Sequence, residues 1–233
     1  MIKKRKIDMT ANTEELELKD GLSLNAAMSV SQPLSKRAIR AAISFLAVGS
    51  LCESIPLLTL LTKHPLPWLL NWGVGTPLAW VMAAIVFALY TRQTIRSCPL
   101  IQAWWLRWHT LRLLAVPAAL VTGFFEEALF RKFLMDYVAH QVSNSGWGLA
   151  LQVLVSALVF GVAHAIWGLA RGSMTDAFWA VCYTSLLGGA LAVVYLVGGR
   201  SMAPCIAAHI AINLVCEPWM CLSAASGAWR RRA

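Results

Sequence analysis

The sequence predicts an all-α protein embedded in a membrane, a polytopic bundle of about six transmembrane helices. Three observations carry this. Of the 233 residues, 58% are hydrophobic and only 13% charged, against roughly 25% charged in soluble domains. Mean hydropathy is +0.62. Several apolar stretches reach the ~20 residues that a helix needs to cross the hydrocarbon core.

The chain opens Met-Ile-Lys-Lys-Arg-Lys with no apolar run directly behind it, which does not fit a cleavable signal peptide. Residues 1–37 are expected to be a polar cytoplasmic tail, disordered or loosely amphipathic. Residues 38–110 are expected to hold two spans, at 41–62 (interrupted by Glu53 and Pro56) and at 68–91 (without charge). The third span begins near Leu111 and runs through Glu126. The fourth covers 147–170, the fifth 177–199 and the sixth 203–223. Residues 111–225 make up the functional core, and 226–233 form a basic tail.

The third span needs care. The turn Ser143-Asn-Ser-Gly146 lies midway between Glu126 and His164. A symmetric hairpin would put these two side chains at similar depth, provided that the third helix continues to about His140. At 1.5 Å per residue such a helix is ~45 Å long.

Charge fixes an orientation. The N-terminal tail, the loop after the second span, Arg171 and the C-terminal arginines together hold sixteen Lys or Arg, and the opposite loops hold Lys63, Arg131, Lys132 and Arg200. Both termini are therefore expected in the cytoplasm. The net charge of +9 sits at ends and in short loops, where it meets anionic headgroups; a nucleic-acid partner is not expected. Six cysteines show no CxxC pair, and five lie in apolar segments as small hydrophobes. The small size and the basic tail suggest a bacterial plasma membrane, with the endoplasmic reticulum as the alternative.

The chemistry resides in polar residues embedded in apolar helices. Intramembrane carboxylates are rare and usually functional, and Glu126 and Glu127 stand side by side in Phe-Phe-Glu-Glu-Ala-Leu-Phe-Arg131. Glu127 and Arg131 are i and i+4 with the acid first, the favourable order for an ion pair. Glu126 is turned ~100° away and is left for other work, such as general-base catalysis toward water. Phe160 and His164 share one helix face, as do His209 and Asn213. An asparagine N–H can stabilise an oxyanion. Taken singly, each group has a bland reading: a structural ion network, a core histidine, an interhelical hydrogen bond. Complementary groups on three separate apolar helices are harder to explain as packing. Glu126, His164 and His209 are also of a type that binds zinc, although no HExxH motif occurs. The residues alone leave open a metal-bound water and a water held by protein groups. Glu53 is a weaker candidate, and Glu217, ~12 Å along the helix from His209, reads as an interfacial or site-wall residue.

The pattern Glu126-Glu127-x-x-x-Arg131, Phe160-x-x-x-His164, His209-x-x-x-Asn213 resembles the CPBP intramembrane proteases, which include CAAX prenyl endopeptidases and bacteriocin-processing or immunity-type proteins. The resemblance spans about residues 112–215. It implies a four-helix catalytic core around a water-filled cavity, with Glu126 as base assisted by His164 and His209, Asn213 steadying the oxyanion, and Glu127, Arg131 and Phe160 in support. It also implies a membrane-anchored protein or peptide as substrate, with or without a divalent metal such as zinc. The alternative is a non-catalytic membrane scaffold or bacteriocin-immunity protein of the same fold. A proton-relay transporter ranks last, since no inverted repeat is visible.

Overall fold

A computed structural model describes residues 35–63, 73–107, 109–142, 145–170 and 173–226. All regular structure among them is helical. The order is α1 (Lys36–Lys63), α2 (Pro77–Ser97), α3 (Pro99–Trp104), α4 (Thr110–Gln141), α5 (Trp147–Ala163), α6 (Ala165–Ala170), α7 (Met174–Val197) and α8 (Ala203–Ser226). Six helices are long and apolar enough to cross a membrane: α1, α2, α4, α5 continued through α6, α7 and α8. The chain is a multi-pass membrane protein.

The outward faces of these helices carry exposed leucine, isoleucine, valine and tryptophan side chains. This is the surface expected of helices that face lipid rather than water. Inside the bundle, α5 lies against α7, and α8 lies against α4. The helix α1 packs on both α4 and α8, while α2 packs on α7 and α8.

The second span differs from its expected position at 68–91. Residues 64–72 lie outside the described residues, but Gly73 to Thr76 are not helical, and the helix runs from Pro77 to Ser97. The reason is local. Gly75 takes φ = 73°, a left-handed conformation that glycine adopts without steric cost. Thr76 is the N-cap, its hydroxyl accepting from the Ala79 N–H, and Pro77 occupies the first turn. Threonine followed by proline is the signal for a helix start, and it outweighs the apolar run before it.

Expectation and structure agree on the long third helix. It continues through Glu126 to Gln141, 32 residues in all, or roughly 48 Å at 1.5 Å per residue. Residues Ala128–Met135 form a π-helical segment within it. Such i→i+5 turns are rare and often mark functional sites. Beyond this segment, Asp136 binds Arg200 Nη1 at 2.6 Å and accepts from Tyr195 Oη at 3.2 Å, while Arg200 Nη2 donates to Gln152 Oε1 at 2.7 Å. This network ties the ends of α4, α5 and α7 together. The fourth span breaks at His164, which caps α5 before the short α6. Pro56 sits inside α1, which continues through it.

The α5–α7 contact depends on small residues. A Cβ at Gly161 would overlap Ser185 Oγ and lie 2.7 Å from the Val181 carbonyl oxygen, and one at Gly188 would lie 3.0 Å from the Phe160 side chain. Gly161→Ala is expected to destabilise the protein by about 1–3 kcal/mol through overpacking. Gly49→Ala in α1, where a Cβ meets nothing within 4 Å, should leave stability unchanged or slightly raised. Thermal unfolding of both variants in detergent makes the comparison.

Candidate active site

The helices α4 and α8 meet at Gly123, where a Cβ would lie 2.7 Å from Ile210 Cγ1. This close approach places the next turn of α4, carrying Glu126 and Glu127, directly beside His209 on α8. Glu127 and Arg131 form the expected ion pair, with Arg131 Nε 3.0 Å from Glu127 Oε2 and both side chains fully buried. Arg131 Nη2 also donates to Glu127 Oε1 at 3.3 Å, and Nη1 donates to Ser156 Oγ on α5 at 2.9 Å. The Ser156 hydroxyl in turn donates to the Phe130 carbonyl, inside the π segment, at 3.2 Å. The ion pair is thus hydrogen-bonded to α5 through Ser156 and to α8 through His209, the further partners that a buried pair requires.

The remaining acceptor capacity of Glu127 goes to His209, whose Nδ1 lies 2.8 Å from Glu127 Oε1. The carboxylate accepts, so Nδ1 carries the proton and Nε2 is turned the other way. His164 is fixed in the same sense by a different partner: its Nδ1 donates to the Phe160 carbonyl at 2.8 Å. Phe160 separates the two imidazoles from Arg131. Its ring centroid is 4.5 Å from that of His164 and 5.9 Å from that of His209, and the Arg131 guanidinium lies 5.2 Å from it.

Both Nε2 atoms converge on Glu126. Its Oε2 lies 3.7 Å from His164 Nε2 and 3.6 Å from His209 Nε2. This Oε2 is buried and has no hydrogen-bond partner among the described residues. An unpartnered buried carboxylate oxygen is uncommon and calls for a reason. Separations just beyond direct hydrogen bonding raise the question of a water held by all three groups. Glu126, His164, His209, Asn213 and Phe160 all line one cavity of about 470 Å³.

Five of the seven residues singled out by spacing therefore line one cavity, with Glu127 and Arg131 behind its wall. Two further residues join them. Glu53, from α1, lines the same cavity and accepts a short hydrogen bond from Thr122 Oγ1, one helical turn before Glu126. The rule that intramembrane carboxylates are costly applied to Glu53 as much as to Glu126, but Glu53 lies far from any recurring spacing. Glu217 also lines the cavity, in line with its reading as a site-wall residue. His109 is a helix cap, its Nδ1 accepting from the Leu111 N–H at 3.1 Å.

Residues 107–215 match the family model described as Type II CAAX prenyl endopeptidase Rce1-like. The match covers the Glu126 to Asn213 constellation and bears out the CPBP resemblance; it supports a CAAX-type intramembrane protease role. Comparison with curated proteins and with solved structures gives no significant match.

A metal was one expectation for this site. The donor chemistry of Glu126, His164 and His209 suits zinc. However, among the described residues no group of three His, Cys, Asp or Glu side chains is arranged to hold a metal ion.

The ion pair yields a stability prediction. Arg131→Met leaves the Glu127 carboxylate buried without its cation and should cost about 3–5 kcal/mol. Glu127→Gln combined with Arg131→Met removes both charges and should recover much of that loss. Denaturant unfolding in detergent of the two single variants and the double variant measures the coupling.

Proposed function

We propose that the protein is an intramembrane endopeptidase that hydrolyses a peptide bond of a membrane-associated protein or peptide. The observation that carries this reading is Glu126 Oε2: buried, without a hydrogen-bond partner, and faced by two imidazole Nε2 atoms. The Rce1-like match over residues 107–215 supports the same class of reaction.

In the proposed mechanism, a water between Glu126 and His164 attacks the scissile carbonyl carbon. The Glu126 carboxylate takes the water proton, and the neutral His164 Nε2 accepts the second O–H. The oxyanion of the tetrahedral intermediate accepts from the Asn213 side-chain N–H and from His209 Nε2–H. His209 suits the cationic role because its Nδ1–H faces the Glu127 carboxylate, whereas His164 Nδ1–H faces only a neutral carbonyl. With Glu126 and Glu127 negative and Arg131 and His209 positive, the buried cluster carries no net charge, as a low-dielectric setting favours. When the C–N bond breaks, the proton held on Glu126 passes to the leaving nitrogen. The products are a carboxylic acid and an amine.

The sixteen-to-four distribution of Lys and Arg further supports both termini lying in the cytoplasm, and the membrane is proposed to be a bacterial plasma membrane. A C-terminal fusion to a fluorescent protein that matures only in the cytoplasm is then expected to fluoresce, and a periplasmic alkaline phosphatase fused there should stay inactive.

Membrane-protein termini compared across cells that carry wild type, Glu126→Gln or no gene test the activity. New termini are expected with wild type only. Glu126→Gln should lower turnover of such a substrate by about 10²–10⁴-fold, and Asn213→Ala should lower kcat by about 10²–10³-fold. Identical termini in all three strains would refute proteolysis.

A further inference from the structure

The chain is basic, with 20 Lys and Arg against 11 Asp and Glu, yet its cavity is acidic. Four of those acids, Glu53, Glu126, Asp176 and Glu217, line it, and among the described residues no Lys or Arg does. Glu53, Glu126 and Glu217 are close enough for their charges to act on one another. Only Glu126 has a place in the mechanism above.

Glu217 is the informative member. Its Oε2 is buried and has no hydrogen-bond partner among the described residues, although the residue lines the cavity. A carboxylate in such surroundings is either protonated or paired with a cation; among the described residues no Lys or Arg lines the cavity, and the His209 imidazole faces Glu126 and Glu127. Glu217 also continues a stripe. His209, Asn213 and Glu217 follow one another at i, i+4 and i+8 on α8, and all three face the cavity. A substrate strand laid along this stripe would have its scissile bond at His209 and Asn213. Glu217 lies roughly 6 Å along the axis from Asn213 and roughly 12 Å from His209, the span of two to four extended residues at ~3.3 Å each. Trp179 and Tyr183 line the same cavity, and aromatic faces also attract cations.

Glu53 and Glu217 both lie outside residues 107–215, so the acidic wall is added to the matched domain by α1 and by the end of α8. We propose that Glu217, together with Glu53, binds a lysine or arginine side chain that the substrate carries two to four residues from its scissile bond. This deepens the endopeptidase reading and rests on it. It gives Glu217 and Glu53 a role in selecting the substrate rather than in bond cleavage.

The test separates recognition from chemistry. Full-length Glu126→Gln protein in lipid nanodiscs is titrated with fluorescent, lipid-anchored decapeptides that carry a single lysine, norleucine or glutamate at successive positions. Lysine peptides are expected to bind at least about tenfold more tightly than norleucine peptides, the scale of one charge-assisted contact, with glutamate peptides the weakest. Adding Glu217→Gln should abolish that preference, and adding Glu217→Lys should reverse it in favour of glutamate, a reversal that a purely structural role would not produce. Equal binding of lysine and norleucine peptides, or a lysine preference that survives Glu217→Gln, overturns the proposal. Because binding is read in a protein with its proposed base removed, a failure of proteolysis and a failure of charge selection give different results.

Discussion

Glu127 and Arg131 sit fully buried in apolar surroundings, and neither charge is stable there without the other. The geometry of the site follows from this pair. Arg131 reaches Ser156 on α5, and Glu127 reaches His209 on α8. One ion pair on α4 thereby fixes the position of two other helices. It also fixes a tautomer, because the His209 nitrogen that faces Glu127 must donate, which leaves the other nitrogen aimed at Glu126. The orientation of an imidazole is thus decided behind the cavity wall.

Two adjacent glutamates meet opposite fates for a simple geometric reason. A step of one residue turns a helix by ~100°, enough to place Glu127 between α4 and α8 and Glu126 at the cavity surface. The first has its oxygens taken up by Arg131 and His209. Neither Glu126 Oε2 nor Glu127 Oε2 has a hydrogen-bond partner among the described residues, but Glu127 Oε2 lies 3.0 Å from the Arg131 guanidinium, whereas Glu126 Oε2 has only the two imidazoles at 3.6 and 3.7 Å. The contrast is what a reactive group beside a structural one looks like, and it matches the proposed roles of base and support.

Much of this was legible in the sequence because the relevant signals are local. Composition and run length identified membrane helices, and i,i+4 spacing identified Glu127 with Arg131, Phe160 with His164 and His209 with Asn213 as pairs sharing a face. Hairpin symmetry about residues 143–146 anticipated both the length of the third helix and the contact between Glu126 and His164. Features that depend on how helices meet were not legible. The Glu53–Thr122 contact joins residues 69 apart, and no periodicity encodes it. The second helix was misplaced because its hydrophobic run continues upstream of Thr76 and Pro77, and hydropathy does not register a cap. The π segment leaves no trace in residue type, since Ala128–Met135 is as strong a helix former as its neighbours.

That segment has a bearing on how the two halves of α4 are held in register. Wide turns from Ala128 to Met135 set the phase between two halves of α4. The upstream half presents Glu126 and Glu127 to the site, and the downstream half presents Asp136 to Arg200 and Tyr195. Reversion of these wide turns to ordinary ones at an unchanged residue count would swing one half relative to the other by about 100° for each residue that the wide turns absorb. The cavity and the distal lock would then no longer form at once. Such a reversion changes no side chain and still severs the link between two networks. At this point the winding of the backbone carries information that residue identity does not.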